Sequence, residues 1–490
     1  MIPRSTILPS VTAVALALAL TVALALALTV AGALPATAAT YPVTSWIGLS
    51  TAFDDARDGD TINLDANIVA PADGSLAVEP GESITLDLNG HALTISDVSH
   101  DFAAIEVPNT STLTIVATGG GTLTVTGGWY GAGIGGNKGN AGGSVIVDSG
   151  TITATGGSYG AGIGGGQEGD GGSVIVNSGT ILATGGYHGA GIGGGEKGDG
   201  GTTTTNSGTI TATGGNRGAG IGGGLNGNGG TTSQSGGTIS AIGGFAAAGI
   251  GGGDGGDGGG DGGTTTVSGG TLDATGGGSG AGIGGGYQGN GGTTILTGGT
   301  ITATGDNSGA GIGGGQNSSS SGVLDIHGIR APGAAINGGD PNGALITNST
   351  TPAGIGYTAA TATVGSGGQI SVEFVRIATF DAAGGTATET AFVAIGDTLT
   401  APAAPTRAGY TFAGWTVSGA AYDFSVPMTS SLTLTASWTV VAVLDDTITS
   451  GSTLPPTGFE PAPHLAIAAI LMLVGLALVG FRRRTNIRLG

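Results

Sequence analysis

Residues 144–165 read Ser144-Val145-Ile146-Val147-Asp148-Ser149-Gly150-Thr151-Ile152-Thr153-Ala154-Thr155-Gly156-Gly157-Ser158-Tyr159-Gly160-Ala161-Gly162-Ile163-Gly164-Gly165, and this stretch decides the fold. Its closing Gly-Ala-Gly-Ile-Gly-Gly recurs with the isoleucine at Ile134, Ile163, Ile192, Ile221, Ile283 and Ile312, and as Ala-Ala-Gly-Ile-Gly-Gly at Ile250. Successive spacings are 29, 29, 29, 29, 33 and 29 residues. A flexible glycine linker has no fixed spacing, so this is a repeat array. The single excess falls in the run Asp254–Gly263, where an insertion at a turn disturbs least.

Within the unit, Thr151–Thr155 returns at 209–213 and 300–304, with variants from 180, 238 and 271. Alternation with period two puts Ile152, Ile181, Ile210, Ile239, Leu272 and Ile301 on one face with Ala154, Ala183, Ala212, Ala241, Ala274 and Ala303. The threonines take the other face. Ser144–Val147 returns at 173–176 and gives way to threonines from 202–205 onward. Three short strands and three turns in about 29 residues suit one rung of a parallel β-helix, with equivalent positions stacked about 4.8 Å apart. Isoleucine and alanine would fill the interior, and glycine the turns that need positive φ or close approach of neighbouring rungs.

Upstream, Leu49 to Arg57 suits a short helical cap, followed by strands at 60–64, 83–88 and 112–115. Gly59-Asp60-Thr61-Ile62 and Leu86-Asp87-Leu88-Asn89-Gly90-His91 resemble the opening turns of pectate-lyase-like right-handed β-helices. The resemblance implies a fold, with a helix plugging the open end, and no activity. A lyase of that type needs carboxylate-bound Ca²⁺ and a basic residue, and a hydrolase needs paired carboxylates. The array shows neither set: Asp54-Asp55 falls in the cap, Asp445-Asp446 in the final linker, Arg217 is the repeats' single arginine, and His188 reads as a solvated turn residue. The expectation is therefore a non-enzyme, with a polysaccharide-active β-helix enzyme as an alternative.

Composition narrows the rest. Without cysteine there is no disulfide and no thiol. Net charge is -20, and the cations between the terminal apolar segments are scattered, whereas nucleic-acid binding needs them clustered. Nucleic acid is excluded as a partner.

Both termini carry addresses. Arg4, the apolar run Val11–Ala33 and Ala36-Thr37-Ala38 form a secretory signal peptide with cleavage after Ala38 or Ala39. At the other end, Leu454-Pro455-Pro456-Thr457-Gly458 precedes an apolar run, Leu465 to Gly480, and then Arg482, Arg483 and Arg484. The run is about long enough to hold a chain in a bilayer, since a span takes roughly 17 to 25 residues, and the arginines stay cytoplasmic. The pentapeptide resembles the LPxTG sorting signal of Gram-positive surface proteins. That resemblance implies cutting between Thr457 and Gly458 by a sortase and linkage of Thr457 to peptidoglycan, with membrane contact only before cleavage.

A separate module follows the array. Phe380–Gly385, Pro405–Trp415, Tyr422-Asp423-Phe424 and Leu432–Trp438 resemble the Listeria-Bacteroides (internalin-type B) repeat, which implies a small β-grasp-like domain of extracellular proteins. Its Phe380, Tyr410, Phe412, Trp415, Phe424 and Trp438 read as core packing. The expected organisation is signal peptide 1–38, β-helix cap and first turns 39–125, repeat β-helix 126–316, transition 317–368, Listeria-Bacteroides repeat 369–440, linker 441–453 and sorting signal 454–490. The expected fold is all-β, a right-handed parallel β-helix followed by the β-grasp-like domain, helical outside the cap only in the signal peptide and anchor.

Three outward rows are candidate binding surfaces. Trp129, Tyr130, Tyr159, Tyr187, His188 and Phe245 fall four or five residues before the repeat isoleucines, and either seal a turn by mutual packing or stack on the apolar faces of sugar rings. Asp170, Asp199, Asn228, Asp257 and Asn290 fall seven residues after them, as solvated turn residues or as ligands for Ca²⁺, the one cofactor such a row would take. The threonine face, Thr151, Thr153, Thr155, Thr209, Thr211, Thr213, Thr300, Thr302 and Thr304, resembles ice-binding solenoids, with Leu182, Ile242 and Asp273 interrupting it. The expected function is a cell-wall-anchored adhesin for glycan or matrix; a structural spacer and an ice-binding surface are further alternatives.

Overall fold

The computed structural model describes residues 37–96, 98–256, 260–330, 345–347, 355–364 and 367–441. The sorting signal, its apolar run and nearly all of the signal peptide lie outside them. Among the described residues no helix is long and apolar enough to cross a membrane.

The repeats stack as a parallel β-solenoid of three sheets. Ser144–Val147 and its equivalents make a 12-stranded sheet, the two-residue Ile-Gly strands and their equivalents a nine-stranded sheet, and Thr151–Thr155 and its equivalents nine strands of a 16-stranded sheet whose other seven strands come from residues 329–440. Neighbours pair in parallel at the sequence period: Ile152 with Ile181, Ala154 with Ala183, Ile163 with Ile192. The 33-residue rung keeps register, Ile250 pairing with Ile283, so its four extra residues do not shift the strands that follow. Each rung sends three sets of side chains inward, such as Val147, Ile152 with Ala154, and Ile163, all fully buried. Burying each large apolar side chain is worth about 1.5–3 kcal/mol, which holds together a chain with 109 glycines.

Glycine is needed where rungs meet most closely. Gly164 sits at φ +137°, and a Cβ there would run into the carbonyl oxygen of Gly193 in the next rung. The interior of the 12-stranded sheet also holds a feature that the alternation did not reveal. Thr203, Thr205, Thr232, Gln234, Thr265 and Thr294 point inward and are buried, stacked on Val174 and Val176 in one direction. Thr205 Oγ1 and Gln234 Oε1 have no hydrogen-bond partner.

The stack opens with a helix, Trp46–Asp55, starting three residues before the expected cap. Ser45 accepts from Gly48 N at its start, and Leu49, Ala52 and Phe53 face the core. It packs on the strands Thr40–Val43 and Leu76–Ala77. Beside it the buried Asp60 accepts from Ala39 N (2.6 Å), Arg57 N (2.9 Å) and the Tyr41 hydroxyl (3.4 Å).

At the far end a 15-residue junction strand, Gly367–Asp381, pairs antiparallel with Thr300–Thr304, Ile301 opposite Val372 and Ala303 opposite Ile370. The same strand then pairs in parallel with Leu432–Val440, Phe380 opposite Leu434, inside the C-terminal module. There Phe380, Val393, Leu399, Trp415, Met428 and Leu434 form a second core, with Phe412, Phe424 and Trp438 packed against it. The module is sheet-rich, and its described residues, 369–440, contain no helix.

Candidate functional site

The aromatic corner lies in the turn between the Thr-rich strand and the Ile-Gly strand. Glycines let this turn stack on itself, since a Cβ on Gly157 or Gly186 would meet the carbonyl of Gly128 or Gly157 in the rung before. Hydrogen bonds climb from rung to rung: Tyr159 N to Trp129 O (3.1 Å), His188 N to Ser158 O (2.9 Å), Arg217 N to Tyr187 O (3.1 Å), Phe245 N to Asn216 O (2.6 Å).

The structure divides the expected single row into two columns. Residues four before the isoleucine, Tyr130, Tyr159, His188 and Arg217, are half-buried. Tyr130 stacks on Tyr159 with centroids 5.2 Å apart, and Tyr159 meets His188 edge-on at 5.0 Å. Residues five before it alternate: Trp129, Tyr187 and Phe245 are 51%, 57% and 67% exposed, with Ser158 and Asn216 between them. Packing thus accounts for Tyr130 and Tyr159, and leaves three rings facing solvent.

The reading of His188 as solvated is corrected. Its side chain is 19% exposed, between Tyr159 and Tyr187, with Nδ1 3.4 Å from Glu196 Oε1. Burial holds its pKa below the usual histidine value, with Arg217 acting the same way and Glu196 opposing both. Glu196 also accepts from Gln167 Nε2 at 2.7 Å, and Arg217 pairs with the buried Asp254 at 2.6 Å. Gln167, Glu196 and Asp254, four residues after their isoleucines, went unnoticed in the sequence; the same periodic count finds them.

The acidic row is a backbone ladder. Asp170 Oδ1 accepts from Asp199 N (2.9 Å), Asp199 Oδ1 from Asn228 N (2.7 Å), Asn228 Oδ1 from Asp261 N (3.1 Å) and Asp261 Oδ1 from Asn290 N (2.8 Å). Asp257 lies outside the described residues, and the insertion hands its expected place to Asp261. One oxygen of each side chain is engaged along the axis, which explains why Asp and Asn serve equally there. Among the described residues no group of three or more His, Cys, Asp or Glu could hold a metal ion.

On the 16-stranded sheet, threonine fills one outward column from Thr122 through Thr151, Thr180, Thr209, Thr238 and Thr271 to Thr300. Leu182 and Ile242, each 42% exposed, break the other two columns, as do Ser240 and Asp273.

Residues 377–437 match the Listeria-Bacteroides repeat domain. Residues 145–167, 174–196, 205–225, 235–254, 266–287 and 296–316 match the beta helix repeat. Searches of curated proteins and of solved structures return no match. The chain thus carries beta helix repeats and one Listeria-Bacteroides repeat domain, and is similar in those regions to proteins built from them.

Proposed function

We propose that the chain is a non-enzymatic surface protein, exported, joined by a sortase through Thr457 to the peptidoglycan of a Gram-positive bacterium, and displaying its solenoid as an adhesin for a glycan of host, matrix or neighbouring cell. The observation that supports binding is the outer column of Trp129, Tyr187 and Phe245, three aromatic rings more than half exposed at one corner of the repeat array. Such rings stack on the C–H faces of sugars. The surface offers little acid–base apparatus: Glu196 and Asp254 are engaged by His188, Gln167 and Arg217. The anchoring half rests on Leu454–Gly458 with the apolar and basic segments after it.

Two measurements test this. Cell-wall fractions of a sortase-positive host should release the protein only on peptidoglycan digestion, and Thr457→Ala should move it to membrane and medium. A broad glycan array, read with and without Ca²⁺, should give a defined class of hits. No hits would end the adhesin reading in favour of a spacer, and release of product from pectin-like polymers would favour an enzyme.

A further inference from the structure

The outer column does more than expose aromatics, because it exposes them at a regular interval. Trp129, Tyr187 and Phe245 occupy every second rung, and Ser158 and Asn216 the rungs between. Rungs of a parallel sheet lie about 4.8 Å apart, so the rings recur at about 9.6 Å. In an extended β-linked hexose chain successive rings are flipped, so the same face returns once per disaccharide, a step of similar length. Every second sugar would stack on a ring, while Ser158 and Asn216 would stand beside the intervening sugars to bond their hydroxyls. Branched or helical α-linked chains do not present one face at that interval.

Charge narrows the ligand further. Residues 126–316 carry ten carboxylates against the three cations Lys138, Lys197 and Arg217. Each cation is already placed: Lys138 Nζ sits 4.2 Å over the Tyr130 ring, Lys197 pairs with Glu168 at 2.9 Å and Arg217 with Asp254 at 2.6 Å. A uronic-acid polymer or a polyphosphate would meet net repulsion. The proposal rests on the glycan-binding reading above and sharpens it: we infer that the ligand is an uncharged, linear, β-linked polysaccharide lying along the solenoid axis, its alternate rings stacked on Trp129, Tyr187 and Phe245.

The test uses the purified full chain in non-ionic detergent, with β-1,4-linked glucose and N-acetylglucosamine oligomers of two to eight units as probes. Three rings at every second sugar span five sugars, so affinity should climb to the pentamer and then level off. Trp129→Ala, Tyr187→Ala and Phe245→Ala should each weaken pentamer binding about fivefold, the order of one aromatic stacking contact. The decisive variant is Ser158→Tyr with Tyr187→Ser, which keeps the number of rings but spoils their interval; it should bind no better than Tyr187→Ala. Full binding by that double variant, or affinity independent of length beyond the disaccharide, would overturn the inference. Array hits that survive all three alanine substitutions would overturn it while leaving glycan adhesion in place on another face. A chain that binds no glycan of any kind would remove both.

Discussion

Replacing Gly164 by alanine tests the claim that glycine is required by contact between rungs. The residue sits at φ +137°, where a side chain costs about 1–3 kcal/mol of backbone strain. Its new methyl group would also overlap the Gly193 carbonyl, which is backbone and cannot rotate aside. Relieving the overlap separates the rungs at Ile163 N to Gly191 O (3.1 Å) and Gly165 N to Gly193 O (2.9 Å), two bonds worth about 1 kcal/mol each. The expected loss is therefore about 3–5 kcal/mol. Gly139 is the control, with φ +79° and open space around it; Gly139→Ala should cost only about 1–2 kcal/mol. Urea unfolding, followed by far-ultraviolet circular dichroism of the β-solenoid, reads both variants. Equal losses, or a loss below about 1.5 kcal/mol for Gly164→Ala, would refute the reasoning.

Other outcomes follow from single residues. Thr205→Val should stabilise by about 1 kcal/mol, because it removes a buried hydroxyl without a partner from a column that is valine one rung earlier; a loss of stability would show that Thr205 is satisfied. Gln288→Gly should also gain about 1 kcal/mol, by relieving a non-glycine residue at φ +60°; no gain in thermal unfolding would show the strain to be absent. The pKa of Asp60 is depressed, mainly by the amides of Ala39 and Arg57 that donate to it. Its contribution is present above the ordinary carboxylate pKa and is lost as pH falls through the depressed one. Asp60→Asn should accordingly flatten the acid limb of stability against pH, and an unchanged limb would place the acid sensitivity elsewhere.

Much of this architecture was legible because the solenoid writes its period directly into the chain. The 29-residue spacing and the Ile-x-Ala alternation place Ile152, Ala154 and Ile163 in the core without reference to anything distant in sequence. Legibility ended where the alternation carries no contrast. Thr202–Thr205 is four identical residues, so only its register with Ser173–Val176 decides that Thr203 and Thr205 point inward. Counting from Ile250 failed for the acidic row because four inserted residues lie between the isoleucine and Asp261. The aromatic corner was found, but its division into a packed and a free column turns on a one-residue offset, which separates Tyr130 from Trp129. His188 looked solitary because its neighbours Tyr159 and Glu196 belong to other turns, and only stacking brings the three together.

The junction strand Gly367–Asp381 has a mechanical consequence. One unbroken strand closes the last rung and then enters the fold of the C-terminal module, so no hinge residue separates the two. A pull arriving from the C-terminal side reaches the solenoid through both edges of this strand: five residue pairs join Gln369–Glu373 to Thr300–Thr304, and ten join Gly367–Arg376 to Ile355–Val364, which pairs in turn with Ile329–Arg330. Tension directed along the strand would load those pairs together in shear rather than peel them apart one after another. The junction is then loaded as a whole: an extension force on the C-terminal module has to break pairing on both edges of one strand before that strand leaves the solenoid.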